Sequence, residues 1–139
     1  MMATEIVLPG VGEPETLQVQ RRELPALATG EALIRVEATG VSFAEQSMRR
    51  GRYPGQPAFP FVPGYDLVGT VAALGPGVTV VAVGQRVAAL TKIGGWADYT
   101  VQPVIDLVAV PDGVDAAEAE TAVVNGVTAW QMLHTVARI

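Results

Sequence analysis

Few side chains in this sequence can do covalent or metal chemistry. Its 139 residues include no cysteine and one histidine, His134. That excludes disulfides and thiolate metal sites. His134 falls in the last expected helix, far in sequence from other candidate groups, and reads as a surface or interface residue. What remains is hydroxyl and carboxylate chemistry: Ser42 with Glu45, Tyr53, Tyr65 beside Asp66, and Thr128. Hydroxyls of this kind can meet charge that develops on a substrate oxygen. Each also has a structural reading. Ser42 and Thr128 could cap helices, Tyr53 could pack among prolines, and Tyr65 could be a buried structural tyrosine. Asp66 reads best as a residue that holds the neighbouring loop through backbone amides. Lys92 and Thr91 read as a solvated loop, and Arg49, Arg50 and Arg52 as a solvated basic patch. Glycine-rich stretches such as Gly75-Pro76-Gly77 occur, but none follows a strand and opens a helix as a phosphate loop must.

The elements that must position these residues are mostly strands. Residues 4–8 and 17–24 read as the first two. Glu31 to Ala38 is clearer, because Ala32, Ile34, Val36 and Ala38 alternate with Leu33, Arg35 and Glu37, as a half-buried strand should. Ser42-Phe43-Ala44-Glu45 has the form of a capping box, opening a short helix from Phe43 to about Arg50 that Gly51 stops. Residues 53–64 carry four prolines and should form an ordered loop. Further strands are expected at 66–74, 86–90, 96–101 and 107–110, with Gly84-Gln85-Arg86 as a turn. A second capping box, Asp115 to Glu118, opens an alanine-rich helix to about Val123. Asn125-Gly126 should break it. A last helix then runs from about Val127 to Ala137, with Val127, Trp130, Leu133 and Ala137 on one stripe. The expected fold is mainly β with C-terminal helices, a sandwich or a partly open barrel.

Composition narrows the function. Half the residues are hydrophobic, so the chain can bury a core. Nine basic against fourteen acidic residues give a net charge of −5, which argues against a nucleic-acid binder. No run of about 18 apolar residues suggests a membrane span. With no signal-like N-terminus, a cytoplasmic location is expected.

Several segments, in order, resemble one family. Gly40-Val41-Ser42-Phe43-Ala44-Glu45, followed by Arg49 to Pro54, is similar to the motif after the third strand of zinc-independent quinone oxidoreductases, members of the medium-chain dehydrogenase/reductases. Phe61 to Gly69 looks like their "P-G-x-E/D-x-x-G" segment. Gly84-Gln85-Arg86-Val87 resembles "G-D-R-V", with Gln85 in place of Asp. Gly94 to Tyr99 is similar to "G-G-Y-A-E-Y", and Asn125 to Trp130 to the "G-L-T-A-Y" helix start. The resemblance implies a GroES-like, partly open β-barrel: residues 1–123 as the substrate-side domain and 124–139 as a helix leading toward a Rossmann domain. That second domain and the strands that return from it are expected to be absent from this chain.

The resemblance also implies chemistry. Zinc-dependent relatives place a cysteine where this chain has Ser42, a histidine at Tyr65 and a third ligand near Val124, a set these residues cannot replace. Their four-cysteine lobe is replaced by Thr91-Lys92-Ile93. No metal is expected, so hydrogen-bond donors must meet the charge on the substrate. The implied activity is reduction of quinones or α,β-unsaturated ketones by hydride from NADPH, in a protein that is a homodimer when complete. Ser42, Tyr53 and Tyr65 are the implied catalytic positions, and Ser42 and Thr128 the implied cofactor contacts. Ser47 stands where some relatives have an aromatic residue, which implies a changed pocket. The competing reading is a truncated or stand-alone GroES-like module without activity.

Overall fold

The computed structural model describes residues 1–139. Seven strands form two sheets. β1 (Met2–Val7) and β2 (Gln18–Glu23) make an antiparallel ribbon, and β3 (Glu31–Ala38), β4 (Asp66–Leu74), β5 (Arg86–Leu90), β6 (Tyr99–Pro103) and β7 (Leu107–Ala109) make the main sheet. The main sheet has the order β6-β3-β4-β5-β7 and is antiparallel throughout. The sheets remain open rather than closing into a barrel.

The alternation in β3 does what its spacing requires. Ala32 and Ile34 are fully buried and join Leu67, Val71, Val87 and Ala89 in the principal core. Burying a side chain such as Ile34 or Leu67 stabilises the fold by about 1.5–3 kcal/mol each. A smaller core of Leu8, Met48 and Phe61 lies under the loop region, with Tyr53 and Tyr65 packed against it. It joins the proline-rich loop to α1 (Phe43–Arg49).

β6 begins later than its sequence suggests. Residues 96–98 first touch β1, where Ile6 donates to the Trp96 carbonyl at 2.9 Å and Asp98 donates to the Thr4 carbonyl at 3.0 Å. That detour ties the ribbon to the main sheet before the chain joins β3.

The expected break at Asn125-Gly126 does not occur. α2 (Ala116–Thr121) runs into a π turn (Ala122–Gly126), then α3 (Val127–Gln131) and a second π turn (Met132–Val136). Gly126 keeps helical angles (φ −64°, ψ −47°). The weak helix formers around it, Val123 to Thr128, fall in and just after the π turn, where contact with β5 and β4 supplies what local propensity does not. The expected second capping box is half formed: the Asp115 carboxylate accepts from the amides of Ala117 and Glu118. The apolar stripe of the last helix is uncovered, with Val127, Trp130 and Leu133 about half exposed or more.

Candidate active site

α1 brings the first candidates together. Ser42 is its N-cap and makes the full reciprocal box. The Ala44 amide donates to Ser42 Oγ at 3.1 Å, and Ser42 N–H and Oγ–H both donate to Glu45 Oε2, at 2.7 and 2.5 Å. The single hydroxyl proton is therefore committed to Glu45. Toward any other group, Ser42 Oγ can only accept.

Glu45 does more than close the cap. It is 2 % exposed, and its Oε1 accepts from the Tyr65 amide at 2.7 Å. Tyr65 is held from its other side as well, since its carbonyl accepts from the amides of Thr91 (2.9 Å) and Lys92 (3.0 Å). Lys92 takes a left-handed φ of 66°, which aims two successive amides at one carbonyl. The loop that begins at Thr91 thus fixes Tyr65, and the Lys92 side chain is exposed.

The preceding turn needs a glycine. Gly64 has φ +106°, and a methyl there would lie 2.4 Å from the Trp96 amide and 2.5 Å from Gly95 Cα. This close approach lets 91–95 dock on Tyr65.

Fixed this way, Tyr65 meets Tyr53. Their hydroxyls are 2.8 Å apart, and their rings meet edge to face at 6.0 Å. Two hydroxyls joined by one hydrogen bond keep one proton free to donate outward, and the bond polarises that donor. The bond to Tyr65, aided by burial and by the nearby Glu45 charge, raises the Tyr53 phenol above its ordinary value. The Tyr53 hydroxyl therefore keeps its proton through the physiological range.

The other candidates fall into place around it. Asp66 is buried, and its Oδ1 accepts from the Gly40 amide at 3.3 Å, holding the neighbouring loop. Trp96 Nε1 donates to the Gly40 carbonyl at 2.9 Å from the other direction. Gln85 accepts from the Ala82 amide at 3.0 Å. Thr128 is exposed inside the continuous helix. It caps nothing, because the helix does not start there. His134 is exposed and packs on Trp130 with ring centroids 5.1 Å apart.

Arg49 corrects the reading of a solvated basic patch. It is 6 % exposed, and its guanidinium donates to the Gly12 carbonyl and to Glu13. It lies on the buried face of α1, four residues after Glu45, so the helix turns it inward. Arg50 and Arg52 are exposed as expected.

Sequence reading missed Glu120. Residues 116, 119, 120, 123 and 124 are the less exposed positions of the helix. That is the spacing of an inward stripe, and a helical wheel would have placed this acid on it. Burial and contact with Asp66 raise the Glu120 carboxyl to about 7. Ser42, Tyr65 and Val124 present a bonded hydroxyl, a paired phenol and an alkyl group. An apolar groove of about 580 Å³ lies elsewhere, between β5, β7 and the C-terminal helix, lined by residues such as Ala89, Val108 and Val123.

A family model described as the alcohol dehydrogenase GroES-like domain matches residues 28–112. The chain is 35% identical over 134 residues to the mouse synaptic vesicle membrane protein VAT-1 homolog-like, covering 96% of this chain and 32% of that protein. It is 31% identical over 129 residues to rat quinone oxidoreductase, covering 91% of this chain and 39% of that protein. Among solved structures it matches human VAT-1 homolog-like protein with a TM-score of 0.93 at 35% identity, over 100% of this chain and 45% of that one. It matches Escherichia coli quinone oxidoreductase complexed with NADPH with a TM-score of 0.88 at 25% identity, over 96% of this chain and 41% of that one. The chain thus spans 32% and 39% of the length of these two curated relatives. It belongs to the alcohol dehydrogenase GroES-like domain family, among the quinone oxidoreductase-like medium-chain dehydrogenase/reductases.

Proposed function

We propose that this chain is the substrate-side part of an NADPH-dependent reductase that acts on quinones or α,β-unsaturated ketones without zinc. The observation that carries this reading is the Tyr53–Tyr65 hydroxyl pair, fixed at 2.8 Å beside the capped start of α1. The pair offers one free O–H to a substrate oxygen. Quinones and enones suit such a donor, because the negative charge that develops on reduction is delocalised and needs less local stabilisation than a simple alkoxide.

The donor set around the former ligand positions supports a metal-free site. Ser42 is spent on Glu45 and on the Ala44 amide, Tyr65 on Tyr53, and Val124 has no donor atom.

The residues also fit the nicotinamide end of a dinucleotide. Ser42 Oγ retains a lone pair that can accept from a ribose hydroxyl, and the exposed Thr128 hydroxyl can donate or accept. Bound NADPH supplies the hydride. This chain's share is to orient the acceptor, to steady its oxygen through the tyrosine pair, and to keep that donor protonated. Residues 1–123 then form the substrate-side domain, and the helix over 124–139 leads toward a nucleotide-binding domain. A soluble, cytoplasmic homodimer is part of the same reading. No helix in the structure is long and apolar enough to cross a membrane.

The test is a panel of quinones and enones with the full-length protein, NADPH or NADH, and a chelator. NADPH oxidation should survive chelation. Removing both hydroxyls, as Tyr53→Phe with Tyr65→Phe, should lower kcat about 10²-fold, the typical loss of an oxyanion donor. Activity lost to the chelator, or a double variant with unchanged kcat, overturns the proposal.

A further inference from the structure

Two carboxyl groups from distant parts of the chain meet over Gly40. Asp66 opens β4 and is 4 % exposed, while Glu120 lies in the last turn of α2 and is half-buried. A methyl on Gly40 would sit 2.5 Å from Glu120 Oε1 and 3.1 Å from Asp66 Oδ1. The two carboxyl groups thus converge on one side of Gly40, and the nearness of Asp66 helps to raise the Glu120 carboxyl. Two carboxyl groups brought together in this way repel when both are charged and attract when one of them carries a proton.

No cation relieves them. The four ion pairs of the protein join Arg22 to Glu5, Arg35 and Arg86 to Glu37, and Arg49 to Glu13. α2 packs on β4 and β3, and the π turn after it touches β5 and β4. On β4 the only charged residue is Asp66. On β3, Arg35 and Glu37 are bonded together, and Glu31 accepts from the Ala28 amide. On β5, Arg86 is held by Glu37 and by the Val114 carbonyl. The residues of the π turn carry no charge. From α1, Glu45 adds a further negative charge. On α2 itself, Glu118 is exposed, and Asp115 just before the helix is occupied as its cap.

We propose that Asp66 and Glu120 form a proton-controlled latch: with one shared proton the pair clamps α2 to the β3–β4 sheet, and loss of that proton loosens α2 and the helix that continues from it. Burial, then the contact with Asp66, then repulsion from Asp66 and Glu45 hold the Glu120 carboxyl at about 7 against an ordinary 4.5. A group whose native value is raised binds an extra proton in the folded form. Its stabilisation is complete below the ordinary value and is lost as the pH climbs through about 7. The latch therefore works across neutral pH. The same helix carries Thr128, so its seating bears on that residue's position. The latch does not depend on the proposed reaction, and hydrogen exchange reads it without turnover.

The test is hydrogen exchange of the α2 peptide in the full-length protein, corrected for intrinsic exchange, at about pH 5.5 and about pH 8.5. Protection in the wild type should fall about tenfold at the higher pH, the equivalent of one pKa unit after allowance for solvent at a half-buried group. Glu120→Gln keeps the shape and can donate to Asp66 at any pH, so its protection should be the same at both. Glu120→Asp, one methylene short of contact, should be unprotected at both. Wild-type protection that does not change with pH, or a Glu120→Gln profile that falls as the wild type does, overturns the latch.

Discussion

Glu45→Gln tests whether one buried carboxylate organises the site. Glu45 accepts three hydrogen bonds while almost fully buried: two from Ser42, at 2.7 and 2.5 Å, and one from the Tyr65 amide at 2.7 Å. Glutamine has the same shape but only one acceptor oxygen. If that oxygen stays with Ser42, the NH₂ group faces the Tyr65 N–H, donor against donor. If it turns toward Tyr65, the Ser42 amide is orphaned instead. Either way one buried N–H loses its partner, a cost of about 1–3 kcal/mol. The remaining bonds also lose charge assistance, which is worth about 1 kcal/mol in all. The expected loss of stability is therefore about 2–4 kcal/mol. Ser42→Ala removes only the cap and should cost about 1 kcal/mol. Urea unfolding of the full-length protein measures both, with the slope against denaturant used to confirm that the same transition is compared. A Glu45→Gln loss below about 0.5 kcal/mol, or a Ser42→Ala loss as large as that of Glu45→Gln, refutes the view that Glu45 ties α1 to Tyr65.

Gly64→Ala should be costly for two reasons. The backbone there is left-handed, and the added methyl would strike the Gly95–Trp96 backbone at 2.4–2.6 Å. Strain of about 1–3 kcal/mol and overpacking of similar size should lower the melting temperature by several degrees at least. An unchanged melting temperature would show that the 91–95 loop moves aside freely. Glu37 gives a prediction about acid. The Thr70 hydroxyl, 2.5 Å from its Oε1, with Arg86 and Arg35, holds its carboxyl below the ordinary 4.5 despite some burial. That stabilisation is present above the ordinary value and lost as the pH falls through the lower native one. Urea midpoints should thus decline below about pH 4.5 in the wild type and more gently in Glu37→Gln; equal acid slopes contradict the assignment.

Much of the fold was legible because its signals are local. The alternation at Ala32 and Ile34 gave β3 its bounds, and the Ser42–Glu45 spacing gave the start of α1. Gln85 closes the turn at 84–86 that the sequence signals, because its bond reaches only to the Ala82 amide. The failures came where a local preference met a larger structure. Asn125-Gly126 is a turn signal in isolation, yet a π turn carries the helix through it. Arg49 resembles its solvated neighbours in sequence, but its position on α1 points it into the fold.

The sequence by itself determined which groups were available: hydroxyls and carboxylates, no thiols, and a lone histidine outside the site. It also determined the Ser42 cap, the Gly84–Arg86 turn and the inward face of β3, because those depend on residues within about four positions of one another. The tertiary structure alone decided who meets whom. Tyr53 reaches Tyr65 only because Glu45 and the amides of Thr91 and Lys92 fix Tyr65 from both sides. Asp66 reaches Glu120 only because α2 settles on β4. Such pairings follow from sheet register and helix packing, and no period or spacing along the chain records them.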